Sequence, residues 1–266
     1  MPDILSFYHL LIYSSSHIFT LSYIHLVIYY MEVYNINIET NVYEATIAGR
    51  SFMEEFRKIV SKKYPSISLK VCPGHFATGN SHINYFIDLS STKARINEAD
   101  AVARAISERY FTTTIIDTIV CLDGCEVIGA FLAQHLSEAG IISMNQHQTI
   151  YVTAPEYSNS GQFIFRDNLV HMIRDKYVLL LLASATTGKT ISSAVDAIHY
   201  YGGKISGISA VYSAIDKIYD YPVNSIFTAA DIGNYEGYDP ADCQMCRSGK
   251  PLDAIVNSFG YAKLRL

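Results

Sequence analysis

Apolar positions along this chain recur in two alternating rhythms. Ile115–Cys121, Thr149–Thr153, Val178–Leu182, Ile205–Tyr212 and Val223–Phe227 are short runs rich in leucine and β-branched residues, the pattern of strands buried on both faces. Between them, Asn97–Tyr110 puts Ala99, Val102, Ala103 and Ile106 on one helical face. Val127–Ala139 predicts a second helix, closed by a left-handed Gly140, and Ile191–Tyr201 a third, closed by Gly202-Gly203. Ile47–Lys63 also has helical spacing, through Phe52, Phe56, Ile59 and Val60, and breaks at Pro65. Ile83–Leu89 and Phe163–Phe165 are short apolar pieces, and Pro155–Gly161 reads as a polar loop. Strands alternating with helices of about 10–14 residues predict an α/β fold, a parallel sheet flanked by helices on both faces. In such sheets ligands sit beyond the carboxyl ends of the strands. Two turns fall there, Asp123-Gly124 and Thr186-Thr187-Gly188.

Composition narrows the picture. A chain of 266 residues, half of them apolar and 17% charged, can bury one large core. Its net charge of −5, with no basic run, argues against a nucleic-acid surface. Five irregularly spaced cysteines suit reduced thiols and a cytoplasmic setting better than a disulfide framework. Residues 1–30 hold no Lys or Arg, so they lack the basic region of a secretory signal. The run Ile18–Tyr30 is shorter than the ~20 residues of a membrane span. Composition shifts at Met31. The expected organisation is therefore an extension over 1–30, non-native or disordered, with a membrane anchor or loosely packed arm as alternatives. A main domain would cover 31–240 and a C-terminal tail 241–266.

The richest chemistry lies in Tyr177–Thr190, which reads as a buried strand, a small-residue turn and a helix start. Such a turn aims backbone N–H groups and hydroxyls at one point, at the positive end of a helix dipole. Ala185, Thr186, Thr187, Gly188, Lys189 and Thr190 are thus the expected phosphate-binding residues. A lysine just inside a helix N-terminus is unfavourable unless an anion compensates it, which favours phosphate there. Ala183–Thr190 also satisfies a relaxed nucleoside-triphosphatase P-loop pattern, with Lys189 on the phosphates and Thr190 on Mg²⁺. Against that, few residues follow it, and only Asp216 and Asp231 offer loosely placed metal-binding acids.

The same segment resembles the phosphoribosyl-pyrophosphate motif of type I phosphoribosyltransferases, in which two acids and two small or apolar residues precede Thr-Thr-Gly-Gly-Thr/Ser. Cys121–Ala133 is similar to that family's pyrophosphate loop and following helix, and Phe76–Leu89 to the opening segment of orotate phosphoribosyltransferases. Ile205–Asp216 and Asn224–Asp231 follow the same order. The resemblance spans about residues 40–235 and implies a small hood over the parallel sheet, a cytoplasmic homodimer, and phosphoribosyl pyrophosphate and a nucleobase such as orotate as substrates. It implies Mg²⁺ held by Asp123 and Glu126, with Arg166, His171 and Arg174 as the nearest cations for the leaving group, and His82, Asn84 and Tyr85 on the base side. Read alone, Asp123 and Glu126 are equally a solvated loop acid and a first-turn helix acid.

Two departures matter. Leu182 and Ala183 stand where the family's acid pair belongs, and a lost charge-assisted hydrogen bond costs ~1.5–3 kcal/mol. The loop Ala154–Gln162 carries no cation. Three readings follow: transfer of phosphoribose to a pyrimidine base, a non-catalytic nucleotide or phosphate sensor on the same fold, and a P-loop NTPase. Separately, Cys243-Gln-Met-Cys246 has zinc-knuckle spacing but supplies half a site. A third and fourth ligand would come from Cys72, Cys121, Cys125, a histidine or a second subunit. A redox pair and a plain tail motif are the alternatives.

Overall fold

The computed structural model describes residues 56–138, 143–145, 149–158 and 161–264. The 1–30 extension and the Gly140 cap lie outside them. In chain order the elements begin with strands β1 (Arg57–Val60), β2 (Ser68–Ala77) and β3 (His82–Asp88), then helices α1 (Ser90–Ala94) and α2 (Ile96–Ser107). Next come β4 (Thr118–Cys121), α3 (Glu126–Glu138), β5 (Tyr151–Thr153), and the small hairpin β6 (Glu156–Tyr157) and β7 (Phe163–Ile164). They are followed by β8 (Tyr177–Ala185), α4 (Lys189–Tyr200), β9 (Lys204–Ser213), β10 (Lys217–Ile218) and β11 (Tyr221–Thr228). The chain closes with α5 (Ala229–Ile232), β12 (Gly237–Tyr238), α6 (Gln244–Arg247), β13 (Ala254–Asn257) and β14 (Gly260–Lys263).

The main sheet has the order β10-β11-β9-β8-β4-β5. All its pairings are parallel except that of β10 with β11. Period-two alternation along β8 explains why helices cover both faces. Leu179, Leu181 and Ala183 join a core with the apolar faces of α2 and α3, while Val178, Leu180 and Leu182 join another with Ile191, Ala194, Val195 and Ile198 of α4. The molecule is thus an α/β fold with a parallel sheet between helical layers. The chain passes from β4 to β5 on one side, then crosses to β8 on the other. Strand order therefore reverses between β4 and β8, the switch point at which a ligand crevice opens in sheets of this kind.

A second sheet, ordered β12-β3-β2-β13-β14 with β1 beside β2, forms the hood. It joins segments far apart in sequence: β2 and β3 pair antiparallel, and β13 lies parallel to β2 through Ala254–Phe76 and Ile255–Ala77. Residues 57–60, expected in a helix, are strand β1 instead, in register with Val71–Ser68. Their apolar spacing misled because Val60 is exposed and only Ile59 packs inward, the two-residue period of an edge strand. The pairing register of β2 with β3 shifts between Pro73 and Phe76, a bulge that accommodates proline inside a strand. Among the described residues, no helix is long and apolar enough to cross a membrane.

Candidate functional site

A cleft of about 220 Å³ opens at the switch point. One wall is the end of β8 and the following turn, Leu182 through Gly188 with Thr190 and Ile191. Asp123, from the loop after β4, lines it beside them. The hood contributes Thr78–Asn80, Asp88, Lys93, Tyr235 and the Asn257–Ser258 rim.

The turn is short and its shape depends on one residue. Gly188 is the N-cap of α4 with φ +77°, a left-handed conformation that a side chain disfavours. A Cβ there would lie 2.4 Å from Ile218 Cδ1 and 2.8 Å from Ile215 Cδ1. Among the described residues, nothing accepts the backbone N–H groups of Thr186, Thr187 and Gly188, and no partner engages the Thr186, Thr187 and Thr190 hydroxyls. Thr187 and Thr190 are exposed. These free donors converge at the N-terminus of a 12-residue helix, which is the construction that binds phosphate. Lys189 is exposed at the first position of α4 and is absent from the cleft wall.

The geometry is unlike a P-loop. Ala183–Ala185 belong to β8, with Ser184 and Ala185 in register with Tyr212 and Ser213. Three residues of the eight-residue P-loop window are therefore strand and the last two are helix, leaving three to turn where that motif needs a wrapping loop. Asp231 instead caps α5, accepting from the Thr228 N–H at 2.8 Å, and Asp216 is exposed.

Asp123 occupies an unusual position. It has φ +58° and Gly124 φ +75°, and the Cys125 N–H donates to the Leu122 carbonyl at 3.1 Å, closing a tight turn. Its carboxyl faces the backbone N–H groups of Ala183 and Ser184, beyond the last β4–β8 pair. Burial pushes its pKa up, while Lys93 and those two N–H groups oppose the rise. A carboxylate thus reaches the end of β8 from the neighbouring strand, although β8 itself carries Leu182 and Ala183, both buried.

Lys93 is a site residue that the sequence reading missed. Its Nζ donates to the Asp123 carbonyl and the Ser258 carbonyl, both at 2.6 Å, tying the turn after β4 to the hood rim. Lying in the short helix α1, it shows no motif in the sequence. Only the fold makes it the cation of the cleft. Asp88 is held by the Ser90 N–H, which donates to its Oδ1 at 2.9 Å.

The remaining expected site residues lie elsewhere. Glu126 is exposed in the first turn of α3, where its charge complements the helix dipole. Arg166 donates to Glu156 through Nε at 2.7 Å and a terminal nitrogen at 2.8 Å, pinning the β6–β7 hairpin rather than the cleft. None of His82, Asn84 and Tyr85 lines the cleft. Asn84 bridges the Asn234 carbonyl and the Glu236 N–H, and the Tyr85 hydroxyl accepts from Arg57 at 3.2 Å. Strand β3 reaches the cleft through Ile83, Phe86, Ile87 and Asp88, whereas His82, at its start, joins His75, Cys243 and Cys246 in a cluster whose ligand atoms all lie within 4.8 Å. The other cysteines are core residues. Cys121 and Cys125 pack in the main core, where burial pushes both thiols up, and Cys72 packs in the hood.

No protein-family model and no curated protein matches this chain. Among solved structures it is similar to Mycobacterium tuberculosis H37Rv orotate phosphoribosyltransferase in complex with phosphoribosyl pyrophosphate, at 15% identity and TM-score 0.41, covering 55% of this chain and 82% of that one. It is also similar to adenine phosphoribosyltransferase from Thermoanaerobacter pseudethanolicus, at 14% identity and TM-score 0.42, over 65% and 95% of the two chains. Leishmania donovani UMP synthase is similar at 15% identity and TM-score 0.44, over 61% of this chain and 34% of that one.

Proposed function

We propose that the cleft binds 5-phosphoribosyl pyrophosphate and transfers its phosphoribosyl group to a pyrimidine base such as orotate. The observation that carries this reading is the meeting, at the switch point, of the free Thr186–Gly188 N–H groups with the Asp123 carboxyl in one cleft. The turn suits a 5′-phosphate. Asp123 suits the ribose hydroxyls or a magnesium–pyrophosphate group beside it. In the reaction a ring nitrogen of the base attacks C1 of the ribose, the C1–oxygen bond to pyrophosphate breaks, and pyrophosphate leaves with the electron pair. Lys93 keeps a third donor beyond its two carbonyl partners, which suits an acidic base or the leaving group.

Mg²⁺ fits the donor set. Asp123 and Asp88 line the cleft, and this ion takes one or two carboxylates together with substrate phosphates. When bound it would neutralise charge on the departing pyrophosphate. A homodimer and a cytoplasmic setting remain part of the proposal through the sequence resemblance alone.

A second reading is favoured by a specific feature. Leu182 and Ala183 leave β8 without its own acids, and Arg166 is engaged by Glu156, which suits a protein that senses a ribose phosphate without turning it over. Pyrophosphate release separates the two. The protein would be mixed with the donor, Mg²⁺ and a panel of bases, alongside Thr187→Ala. Release above the Thr187→Ala level supports transfer. Saturable donor binding with no such release leaves the sensor.

A further inference from the structure

We propose that His75, His82, Cys243 and Cys246 bind one Zn²⁺ as a closed structural site that staples the C-terminal segment to the hood. The distances carry it. Tetrahedral zinc with Zn–S of about 2.3 Å and Zn–N of about 2.0–2.1 Å requires N···N near about 3.4 Å and S···N near about 3.6 Å. Here His75 Nε2 and His82 Nδ1 are 3.2 Å apart. Sulfur–nitrogen separations are 3.5 Å for Cys243–His75, 3.6 Å for Cys246–His75 and 3.3 Å for Cys246–His82.

The surroundings are those of a metal ligand set. His75 Nδ1 lies 2.8 Å from the Lys250 carbonyl, so that nitrogen carries the proton and Nε2 presents its lone pair to the other three ligands. His75 is also fixed by its backbone: its N–H donates to Asp253 Oδ2 at 2.7 Å, and its carbonyl accepts from the Asp253 N–H at 2.8 Å. It sits within the β2 bulge, a device that re-aims a side chain. The two cysteines flank the first turn of α6, where the Arg247 N–H donates to the Cys243 carbonyl at 3.1 Å and the Gly249 N–H to the Cys246 carbonyl at 3.0 Å. His75 and Cys243 are buried.

Charge balance agrees. Two thiol protons leave, and Zn²⁺ with two thiolates and two neutral imidazoles is a neutral group, suited to a buried place. Four protein ligands leave no open position for water, so the ion serves structure rather than catalysis. Its consequence reaches the cleft: β13 follows directly after Asp253 and pairs with β2, and the turn beyond it supplies the Ser258 carbonyl that receives Lys93. The inference holds whatever the cleft binds.

The test uses the full chain purified under reducing conditions. Elemental analysis is expected to give about one zinc per chain, and the Co²⁺-exchanged protein the charge-transfer and visible bands of a tetrahedral thiolate site. Cys246→Ser and His82→Ala are expected to lose most of the metal, whereas His199→Ala keeps it. Chelation is expected to lower hydrogen-exchange protection in β2 and β13 while sparing β8 and β9. Metal content unchanged in both ligand variants, a Co²⁺ spectrum without thiolate charge transfer, or a Cys243–Cys246 disulfide would overturn the proposal. If the variants fail to fold, the spectrum of the unaltered protein decides.

Discussion

The phosphate turn and the His/Cys cluster are built from opposite materials. Ala185–Thr190 takes its shape from one contiguous segment, in which a buried strand ends, a left-handed glycine turns the chain and a helix begins. The cluster draws two histidines from the β2–β3 hairpin and two thiols from a knuckle more than 160 residues later. The turn rests on a thick apolar core, with Leu180, Leu182, Ile191 and Val195 all fully buried. Among the described residues, the hood's own core is Cys72, Phe76, Ile83, Phe86, Ala254 and Val256, with Tyr235 packed against it. A small sheet that cannot bury enough apolar area to hold a distant segment is where a metal contributes most. The comparison teaches that the anion-binding half of the cleft is set by the main sheet, and its opposite rim by whatever anchors the hood.

The largest effect is expected from placing an acid in β8. Leu182 points into the core under α4, so Leu182→Asp should cost roughly 4 kcal/mol by urea unfolding, from lost burial and an unpaired charge. A variant as stable as the parent would show that Leu182, which also borders the cleft, is not held by the core under α4. Gly188→Val follows, at roughly 2–3 kcal/mol, from its positive φ and the contacts with Ile215 and Ile218. Its zinc content should stay intact, because the turn and the cluster share no residue; joint loss of both would break the separation drawn above.

Asp123→Asn tests a subtler point. Because burial raises the Asp123 pKa, the folded state holds that proton more tightly than the unfolded chain. The group therefore subtracts stability as pH rises from the ordinary carboxylate range through the raised value, and the deficit persists at neutral pH. Asparagine tolerates the left-handed backbone and removes the charge. The variant should melt slightly higher at neutral pH, with a flatter pH dependence, and bind the donor less well. A lower melting temperature at every pH would contradict the assignment. The smallest effect belongs to Arg166→Ala. The Arg166–Glu156 pair is exposed, so stability should change by no more than about 0.5 kcal/mol and donor affinity should hold. A large loss of affinity would return Arg166 to the site.

Legibility in the sequence follows the same division. The five parallel strands and three main helices announce themselves because burial on both faces forces continuous apolar runs and one-sided helices, as in Val178–Leu182 and Asn97–Tyr110. The turn was equally legible, since strand, glycine and helix start are neighbours. The hood was not. Pro73-Gly74 hides β2 by interrupting its alternation, and β1 is an exposed edge whose apolar residues mimic helical spacing. Lys93 and His75 carry no local signal at all, because their roles arise from long-range contacts with Asp123, Ser258 and Asp253. His82 was legible for its chemistry but not for its partners, because His75, Cys243 and Cys246 meet it only in the folded chain.

The most direct test of the central claim is calorimetric titration of 5-phosphoribosyl pyrophosphate with Mg²⁺ into the full chain and into Thr187→Ala. The account predicts saturable one-to-one binding, weakened at least ~10-fold when the Thr187 hydroxyl is removed. Absence of binding to the unaltered protein, or equal affinity in the two, would contradict a phosphate site at the end of β8.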